Sequence, residues 1–390
     1  MERIFYHNNG GLKLVVLKNC LLDEELKDIM IINDKIVKIG EIRVECLEHI
    51  FKVLTIIDVE GKRVIPGYID NHVHIIGGGG ESGFSSRVPE INFSSVVSNG
   101  ITTLVGVLGT DSVTRSIENL VAKTKALNEE GITAYCLTGA YEYPSPTITG
   151  KIQNDIVFVK EIIGTKIAIS DHRCYNPSKE DLIKLLSETR IAGLISKKKT
   201  TVNFHVGWGK GNMDTIIDVL EKTNIPKELV RPTHISNNER NFKQALRLAK
   251  AGSYIDITAG KDIEKTIKYI LKVIKNGYID KLTISSDANG SVPNWRDGKC
   301  VGITAHTMDG MHKVIKKLIL EYNVSLKDAI KILTINPANA LGLDNKGIIE
   351  ENKDADIIIL DDEYNIDTVI ALGKIVFQNK EIKVKGRYEK

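Results

Sequence analysis

The stretch Pro66–His74, which reads PGYIDNHVH, is the most informative part of the sequence. The apolar run Val64–Ile69 predicts a buried strand, and two histidines, His72 and His74, stand two residues apart where that strand ends. Residues i and i+2 of a strand point to the same side. We therefore expect the two imidazoles to emerge together, an arrangement that suits one divalent metal ion. Two polar residues that simply leave a strand are the alternative, and the downstream sequence decides between them.

The composition is that of an ordinary globular protein. Of the 390 residues, 42% are hydrophobic and 26% are charged, and the net charge is +3. This balance favours neither nucleic acid nor an anionic membrane as a partner, and the longest apolar stretches fall short of the roughly 20 residues that span a bilayer. The five cysteines are scattered without a CxxC pair, and the first residues lack a signal-peptide pattern. We expect a cytoplasmic protein with reduced thiols.

Both ends of the sequence consist of short strands and turns. The predicted strands are Leu12–Leu17, Asp28–Ile32, Lys35–Ile39 and Lys52–Asp58 at one end, and Asp356–Leu360, Thr368–Leu372, Lys374–Gln378 and Glu381–Val384 at the other. Each end is too small to bury a good core alone. We therefore predict one small β-sandwich domain that combines residues 1–65 with residues 345–390.

The middle of the chain, residues 66–344, alternates strands with helices. The eight predicted strands are Val64–Ile75, Thr102–Leu108, Thr133–Leu137, Lys166–Ser170, Thr201–Val206, Arg231–Ile235, Tyr254–Thr258 and Lys281–Ser286. Such alternation indicates an α/β fold with a parallel sheet, and eight units in about 280 residues match a (β/α)8 barrel of the TIM type. A doubly wound open sheet is the structural alternative.

Polar residues stand at five of these strands, and the active site of such a barrel lies where its strands end. In chain order they are His72 and His74, Lys166, His205, His234 and Asp287. Imidazole and carboxylate are the usual nitrogen and oxygen ligands of Zn²⁺, and two metals about 3.5–4 Å apart can activate a shared water. A desolvated lysine beside cations has a lowered pKa, so Lys166 could take up CO₂ and bridge two metals as a carbamate. A surface lysine is the alternative interpretation.

With these residues the chain resembles the amidohydrolase superfamily and, within it, the isoaspartyl (β-aspartyl) dipeptidases. Residues 66–74 match the superfamily motif PGxxDxHxH, and the closer resemblance rests on residues 72–81 (HVHIIGGGGE), 138–141 (TGAY), 168–173 (AISDHR) and 285–291 (SSDANGS). The resemblance implies two zinc ions. The first would be held by His72, His74 and Asp287, the second by His205 and His234, and carboxylated Lys166 would bridge them.

The resemblance also implies the reaction, which is attack of a metal hydroxide on the amide carbonyl of a β-aspartyl dipeptide. Asp287 would take the proton of the bridging water and return it to the leaving amine, and Tyr141 would polarise the scissile carbonyl. Glu81 would pair with the substrate ammonium, and Arg173 would hold the carboxylate of the leaving residue as a planar fork. Gly79, Thr110 and Ser291 complete the implied substrate contacts.

Asn237 departs from the resemblance, because the family typically has an arginine three residues after the histidine of the sixth barrel strand. A neutral amide there weakens one carboxylate clamp, which predicts lower affinity for simple isoaspartyl dipeptides or a different leaving group. Arg240 is a candidate to reach the same place, although a surface role fits it equally well.

Two other kinds of function remain open at this point. One is a different binuclear amidohydrolase reaction, on a cyclic amide or an N-acyl amino acid. The other is a non-catalytic scaffold, which the complete ligand set disfavours. The resemblance further implies a homo-oligomer and a small dipeptide as the partner that the site binds.

Overall fold

The structure, a computed structural model, describes residues 13–48, 54–296 and 299–389. Its strands are β1 (Leu14–Leu22), β2 (Glu25–Ile32), β3 (Lys35–Gly40), β4 (Leu54–Asp58), β5 (Arg63–Pro66), β6 (Tyr68–Val73), β7 (Ile101–Gly106), β8 (Thr133–Thr138), β9 (Ile162–Ile169), β10 (Thr201–Val206), β11 (Val230–Thr233), β12 (Ile255–Thr258), β13 (Leu282–Ser285), β14 (Ser291–Arg296), β15 (Lys299–Ala305), β16 (Ile357–Leu360), β17 (Ile366–Ala371), β18 (Lys374–Gln378) and β19 (Glu381–Ile382). Its α-helices are α1 (Glu45–Glu48), α2 (Phe93–Val97), α3 (Ile117–Glu130), α4 (Ile152–Phe158), α5 (Lys179–Ser196), α6 (Asp214–Lys222), α7 (Glu239–Ala251), α8 (Ile263–Lys275), α9 (Asp309–Leu320), α10 (Leu326–Lys331) and α11 (Ile335–Leu341).

Strands β6 to β13 form the parallel barrel that the sequence predicts. Strands β6 to β11 pair in chain order in one sheet, and β12 pairs with β13 in another. Backbone hydrogen bonds join the two groups, from His74 N–H to the Ala288 carbonyl (2.9 Å) and from Ile235 N–H to the Asp256 carbonyl (3.4 Å). The predicted (β/α)8 barrel with a smaller β domain from both chain ends is confirmed.

The alternation of side chains in the barrel strands places the predicted ligands inside. In β9, Ile167 packs in the core that also contains Leu182 of α5, so its neighbour Lys166 points to the opposite side, the barrel interior. In β10, Phe204 belongs to the same core, and His205 faces inward for the same reason. Lys166 lies in the middle of its strand and is fully buried. The alternative of a surface lysine is therefore wrong.

The strand predicted at Val64–Ile75 is two strands, β5 and β6, and this expectation needs correction. Gly67 separates them, and its N–H donates to the Asp356 carbonyl at 2.9 Å. A Cβ at Gly67 would lie 2.2 Å from Oγ1 of Thr102, so only glycine fits there. The break lets β5 join the sheet of the chain ends, where it pairs with β16, while β6 begins the barrel.

Nine strands from both chain ends form one hydrogen-bonded sheet, in the order β19-β18-β17-β16-β5-β1-β2-β3, with β4 paired to β1. Alternate residues of β1 enter two separate apolar clusters, Val15 and Leu17 on one face and Leu14 and Val16 on the other. Both faces of this sheet are thus covered. The domain boundaries given above stay predictions, and Leu12 and residues 52–53 of the predicted strands lie outside the described residues.

One further element follows the barrel strands. The hairpin β14–β15 follows the last barrel strand, and the sequence patterns do not predict it.

In the described part of the chain, no helix combines the length and the apolar character needed to cross a membrane.

Candidate functional site

Five of the six predicted metal ligands share one buried cluster at the carboxyl-terminal edge of the barrel strands. Ligand atoms of His72, His234 and Asp287 all lie within 4.8 Å of one another. Oδ1 of Asp287 lies 3.5 Å from Nε2 of His72 and 3.2 Å from Nε2 of His74. Nζ of Lys166 lies 3.4 Å from Nε2 of His72. The structure therefore brings together donor atoms of four strands.

The sixth predicted ligand, His205, lies beside this cluster and is engaged elsewhere. Its ring centroid is 4.5 Å from that of His234. Its Nδ1 lies 2.8 Å from the hydroxyl of Tyr141, and its Nε2 lies 2.9 Å from Oδ2 of Asp171. To bind a cation through Nδ1 or Nε2, the imidazole of His205 would have to give up the hydrogen bond that this nitrogen now forms.

Hydrogen bonds from neighbouring strands orient two of the ligand histidines. Nδ1 of His72 lies 3.0 Å from Oδ1 of Asn203, and Nδ1 of His234 lies 2.6 Å from Oγ1 of Thr258. A hydrogen-bond partner at Nδ1 fixes the tautomer and leaves Nε2 to bind a metal. For His72 this is the nitrogen that faces Lys166 and Asp287.

The sequence reasoning missed three of these orienting residues, Asn203, Thr258 and Asp171. Strand periodicity could have found Asn203, because it stands two residues before His205 and shares its face of β10. Asp171 stands two residues after the end of β9 in the segment 168–173, although its type alone does not distinguish it. Thr258 ends β12, a strand on which no ligand was predicted.

Burial sets the protonation of the histidines in favour of metal binding. It lowers the pKa of His72 and of His234 well below the usual value, and the nearby Lys166 and His205, respectively, add to this effect. Burial also lowers the pKa of His205 to about 4. Neutral imidazole is the form that ligates metal ions.

The lysine and the carboxylate of the cluster are also in the forms that ligation needs. Burial lowers the pKa of Lys166 to about 7, so a large fraction is a neutral amine at neutral pH. Burial raises the pKa of Asp287, but the hydrogen bond with His74 and the nearby imidazoles outweigh it and hold that pKa well below its usual range. A neutral amine is the form that reacts with CO₂, and an ionised carboxylate is the form that binds a cation.

The backbone is strained at two of the ligands. His234 has a φ of 62° and Asp287 has a φ of 53°, both in the left-handed region that residues other than glycine seldom adopt. Such conformations cost on the order of 1 kcal/mol each and concentrate at functional sites. Both residues stand just after a barrel strand, where the turn aims the side chain into the cluster.

Glycines make room for the ring of His74. A Cβ at Gly290 would lie 2.8 Å from Oδ1 of Asp287 and 3.0 Å from Cδ2 of His74, and one at Gly109 would lie 3.2 Å from Cε1 of His74. Nδ1 of His74 is buried and has no hydrogen-bond partner among the described residues. This orphaned nitrogen, together with the neutral imidazoles and the ionised carboxylate, fits a site built for divalent cations.

The residues predicted to contact substrate form a polar group next to this cluster. Nη1 of Arg173 lies 3.0 Å from Oε1 of Glu81, and the hydroxyl of Ser291 donates to the same oxygen at 3.0 Å. Arg173 also binds both oxygens of Asp171, at 2.9 and 2.8 Å. Its guanidinium carbon lies 5.2 Å from the ring centroid of Tyr141. One ion-paired group thus connects the glycine-rich segment before Glu81, the residues that follow β9, and hairpin β14–β15.

The pKa values of this group show which charges it presents. Burial raises the pKa of Glu81, but the hydrogen bond from Ser291 and the nearby Arg173 outweigh burial and lower it. Burial also raises the pKa of Asp171, but its hydrogen bonds with Arg173 and His205 outweigh burial and lower it. Burial raises the pKa of Tyr141 well above its ordinary value, and the nearby carboxylates of Asp287, Asp171 and Glu81 add to the shift, so the phenol stays protonated and can donate a hydrogen bond. The site therefore offers one cation, two anions and a neutral hydroxyl.

The other predicted contacts are Gly79, Thr110 and Asn237. Gly79 has a φ of 72°, and its position leaves no room for a Cβ because the Ser86 carbonyl oxygen would lie only 2.3 Å away. Thr110 lines a cavity of about 230 Å³ together with Glu81. The side-chain amide of Asn237 donates to the Val206 carbonyl at 3.2 Å.

Arg240 does not take the place of the missing arginine. Its guanidinium forms an ion pair with Asp214, and 61% of its side chain is exposed. The surface interpretation of Arg240 is therefore correct, and Asn237 remains the residue at the family's arginine position.

A buried histidine, carboxylate and lysine cluster at the carboxyl ends of a (β/α)8 barrel defines a metal-dependent hydrolase of the amidohydrolase type. The chain belongs to the amidohydrolase family, whose model matches residues 63–376. The expectation of a hydrolytic metalloenzyme is thus confirmed at the level of the family.

Individual relatives differ in what they are named for. The chain is similar to a β-aspartyl dipeptidase of Fervidobacterium islandicum AW-1 whose crystal structure contains β-Asp-Leu, with 40% identity, 95% of this chain and 98% of that chain covered, and a TM-score of 0.88. It is 23% identical to an adenine deaminase of Bacillus pumilus over 91% of this chain, and it spans only 55% of that protein's length. It is 20% identical to a dihydroorotase of Methanosphaera stadtmanae, with 95% of this chain and 90% of that protein covered.

Proposed function

We propose that the protein is a zinc-dependent dipeptidase that hydrolyses the amide bond of β-aspartyl dipeptides. The observation that carries the proposal is the ion pair between Glu81 and Arg173, which lies beside the histidine cluster and accepts a hydrogen bond from Ser291. The 40% identity with a β-aspartyl dipeptidase that binds β-Asp-Leu supports the same substrate class.

The six predicted ligands would hold two divalent cations, with Lys166 as a carbamate between them. Such a pair lowers the pKa of a bound water and polarises the amide carbonyl. The remaining chemistry belongs to the residues of this chain. Lys166 needs a neutral amine to take up CO₂, and its pKa of about 7 supplies one at neutral pH.

The substrate of this reaction is a zwitterion, and the charged groups beside the cluster match it. A β-aspartyl residue carries its ammonium and its α-carboxylate on one carbon atom. Glu81 offers an anion for the ammonium, and Arg173, 3.0 Å from Glu81, offers a cation for the carboxylate of the leaving residue. Exchange of the internal ion pair for two pairs with substrate would orient the side-chain amide toward the cluster.

Two residues would act on the amide bond itself. The hydroxyl of Tyr141, kept protonated by burial, donates a hydrogen bond to the carbonyl oxygen as negative charge develops there. Asp287, kept ionised, accepts the proton of the attacking water and returns it to the leaving nitrogen. Both roles depend on where the barrel places the hydroxyl of Tyr141 and the carboxylate of Asp287.

A substrate panel with quantified metal tests the proposal. Purified protein loaded with Zn²⁺ is assayed on β-Asp-Leu, α-Asp-Leu, N-acetyl-leucine, dihydroorotate and adenine, with the variant Asp287→Asn as the control for contaminating activity. We expect about two zinc ions per chain and turnover of β-Asp-Leu alone. Cleavage of α-Asp-Leu without cleavage of β-Asp-Leu, or turnover of the cyclic amide or of adenine instead, would overturn the assignment.

The setting of the activity is also a proposal. We infer a cytoplasmic enzyme that works as a homo-oligomer on small dipeptides. Cys20, Cys46, Cys136 and Cys174 are free thiols, which supports a reducing compartment. Sedimentation of the purified protein measures the oligomeric state directly.

A further inference from the structure

A histidine outside the predicted ligand set faces the carboxylate of Asp287. His306 follows the end of β15, and its Nε2 lies 3.7 Å from Oδ2 of Asp287. The other carboxylate oxygen, Oδ1, is the one near His72 and His74. The two oxygens of Asp287 therefore have separate neighbours, one on the side of the ligand histidines and one on the side of His306.

The backbone holds His306 firmly against the turn that carries Asp287. Its N–H donates to the carbonyl of Gly290, and its carbonyl accepts from the N–H of Asn289, both at 3.0 Å. The N–H of Gly290 in turn donates to the carbonyl of Asp287 at 2.9 Å. Hairpin β14–β15 thus brings the chain back to the turn that follows β13, and His306 is the first residue after the hairpin.

The ring of His306 is confined on its other side by the loop after β12. A Cβ at Gly260 would lie 3.3 Å from Cε1 of His306, a distance tighter than most contacts of real Cβ atoms. Nζ of Lys261 donates to Oγ1 of Thr304 at 3.2 Å and ties the same loop to β15. Only 15% of the His306 side chain is exposed. The imidazole is therefore held between Gly260 and the carboxylate.

We propose that His306 is a positioning residue that fixes the outer oxygen of Asp287 for proton transfer. The inference rests on the proposed hydrolysis, in which Asp287 takes up and returns a proton. The present 3.7 Å is longer than a direct hydrogen bond, and catalytic hydrogen bonds are often long before substrate binds and shorten in the complex. An N–H donor at this place would keep Oδ1 toward the ligand histidines and present Oδ2 to the leaving nitrogen.

Three variants of the metal-loaded enzyme test this role. His306→Leu removes the donor, His306→Gln keeps an N–H near the position of Nε2, and Thr307→Val is the control in the same loop, where the hydroxyl of Thr307 donates to the side chain of Asp309 on the surface. Each is measured for kcat, KM and bound metal per chain, on whichever amide the wild type hydrolyses.

We expect His306→Leu to lower kcat about 10- to 100-fold, the usual effect of losing a residue that orients a ligand. KM and bound metal should stay unchanged, His306→Gln should recover most of the loss, and Thr307→Val should match the wild type. An unchanged kcat in His306→Leu, equal losses in the Leu and Gln variants, or loss of metal in His306→Leu would overturn the inference.

These outcomes separate the inference from the proposed function. A wild type that cleaves another amide but no β-aspartyl dipeptide, with the expected pattern among the variants, overturns the substrate assignment and supports the role of His306. A wild type that cleaves β-Asp-Leu with no effect of His306→Leu does the reverse. A wild type with no hydrolase activity overturns both.

Discussion

At the scale of single residues, Glu81 is the side chain that, in our proposal, makes the site prefer a substrate with an ammonium group. The substitution Glu81→Gln removes the anion that faces Arg173 and, in our proposal, the substrate ammonium. A lost charge-assisted hydrogen bond costs about 1.5–3 kcal/mol, so we expect kcat/KM for β-Asp-Leu to fall about 10- to 150-fold, mainly through KM. Steady-state kinetics measure this effect.

The control for that experiment is Glu90→Gln, because Glu90 pairs with Lys123 at 3.5 Å and 49% of its side chain is exposed. Its kinetics should equal those of the wild type. Equal KM values in Glu81→Gln and the wild type would show that Glu81 does not bind the ammonium.

Asn237 supports a second prediction at this scale. If a carboxylate clamp is weakened there, Asn237→Arg should lower KM for β-Asp-Leu about tenfold, the effect of roughly 1.4 kcal/mol from a new charge-assisted hydrogen bond. The substitution also removes the hydrogen bond to the Val206 carbonyl, so the melting temperature is recorded alongside. An unchanged KM in a variant of normal stability contradicts the prediction.

The sequence identifies ligand residues better than the residues that orient them. His72 and His74 are predictable because two histidines alternate at the end of an apolar run, and the other ligands because each stands in or just after a strand of its own. Asp171 and His306 have no such pattern, since their roles depend on contacts between strands or with the hairpin. Those contacts exist only in the closed barrel.

Gly290 carries the prediction at the scale of elements, because it lies in the turn between β13 and β14 and against two ligands. In Gly290→Ala, the new methyl group would lie 2.8 Å from Oδ1 of Asp287 and 3.0 Å from Cδ2 of His74. We expect this variant to bind less metal and to lose activity, because the carboxylate must move. Metal analysis and the β-Asp-Leu assay measure both effects.

The matched control is Gly302→Ala in β15, where a Cβ would have nothing within 4 Å. It should retain metal and activity. Full metal content in Gly290→Ala would mean that the turn tolerates a side chain and that the tight packing around Asp287 is not needed.

The elements themselves were predictable in type and less so in extent. Eight barrel strands follow from apolar runs between helical patterns, yet the run at Val64–Ile75 hides a break, because the apolar character continues across Gly67 while the partner strands change. Hairpin β14–β15 gives no alternating signal, since its sequence mixes polar and apolar residues without a period of two. Pairing partners, which are distant in sequence, decide both cases.

Lys346 connects the barrel to the sheet of the chain ends at the scale of the whole molecule. Its buried Nζ lies 2.6 Å from Oγ1 of Thr133 in β8, 2.6 Å from Oδ2 of Asp356 and 2.8 Å from Oδ2 of Asp354. Lys346→Met would leave Asp356 without its cation and Asp354 with Lys35 alone. Removal of one partner of a buried ion pair costs about 3–5 kcal/mol, and denaturant unfolding measures the loss.

The control Lys353→Met removes a lysine whose Nζ donates to the Asp344 carbonyl on the surface, and it should change the free energy of unfolding little. The effect of Lys346→Met should also depend on pH. Burial lowers the pKa of Lys346 and raises that of Asp354, but their mutual attraction outweighs burial, so the pKa of Lys346 is raised and that of Asp354 is lowered.

The sign of each shift sets the pH window. The contribution of Asp354 is lost as pH falls below about 4, and that of Lys346 is lost as pH rises above about 10.4, the unfolded values. The difference in unfolding free energy between wild type and Lys346→Met should be largest between these limits. A difference that stays constant from pH 3 to pH 7 would contradict this assignment.

The central claim is that six side chains from five barrel strands hold a pair of divalent cations. Anomalous scattering at the zinc edge from crystals of the zinc-loaded protein tests it most directly. We predict two peaks, one next to His72, His74 and Asp287 and one next to His205 and His234, with density for a carbamate on Lys166 between them. Zinc peaks only at other places, or no zinc among these residues, would contradict the account.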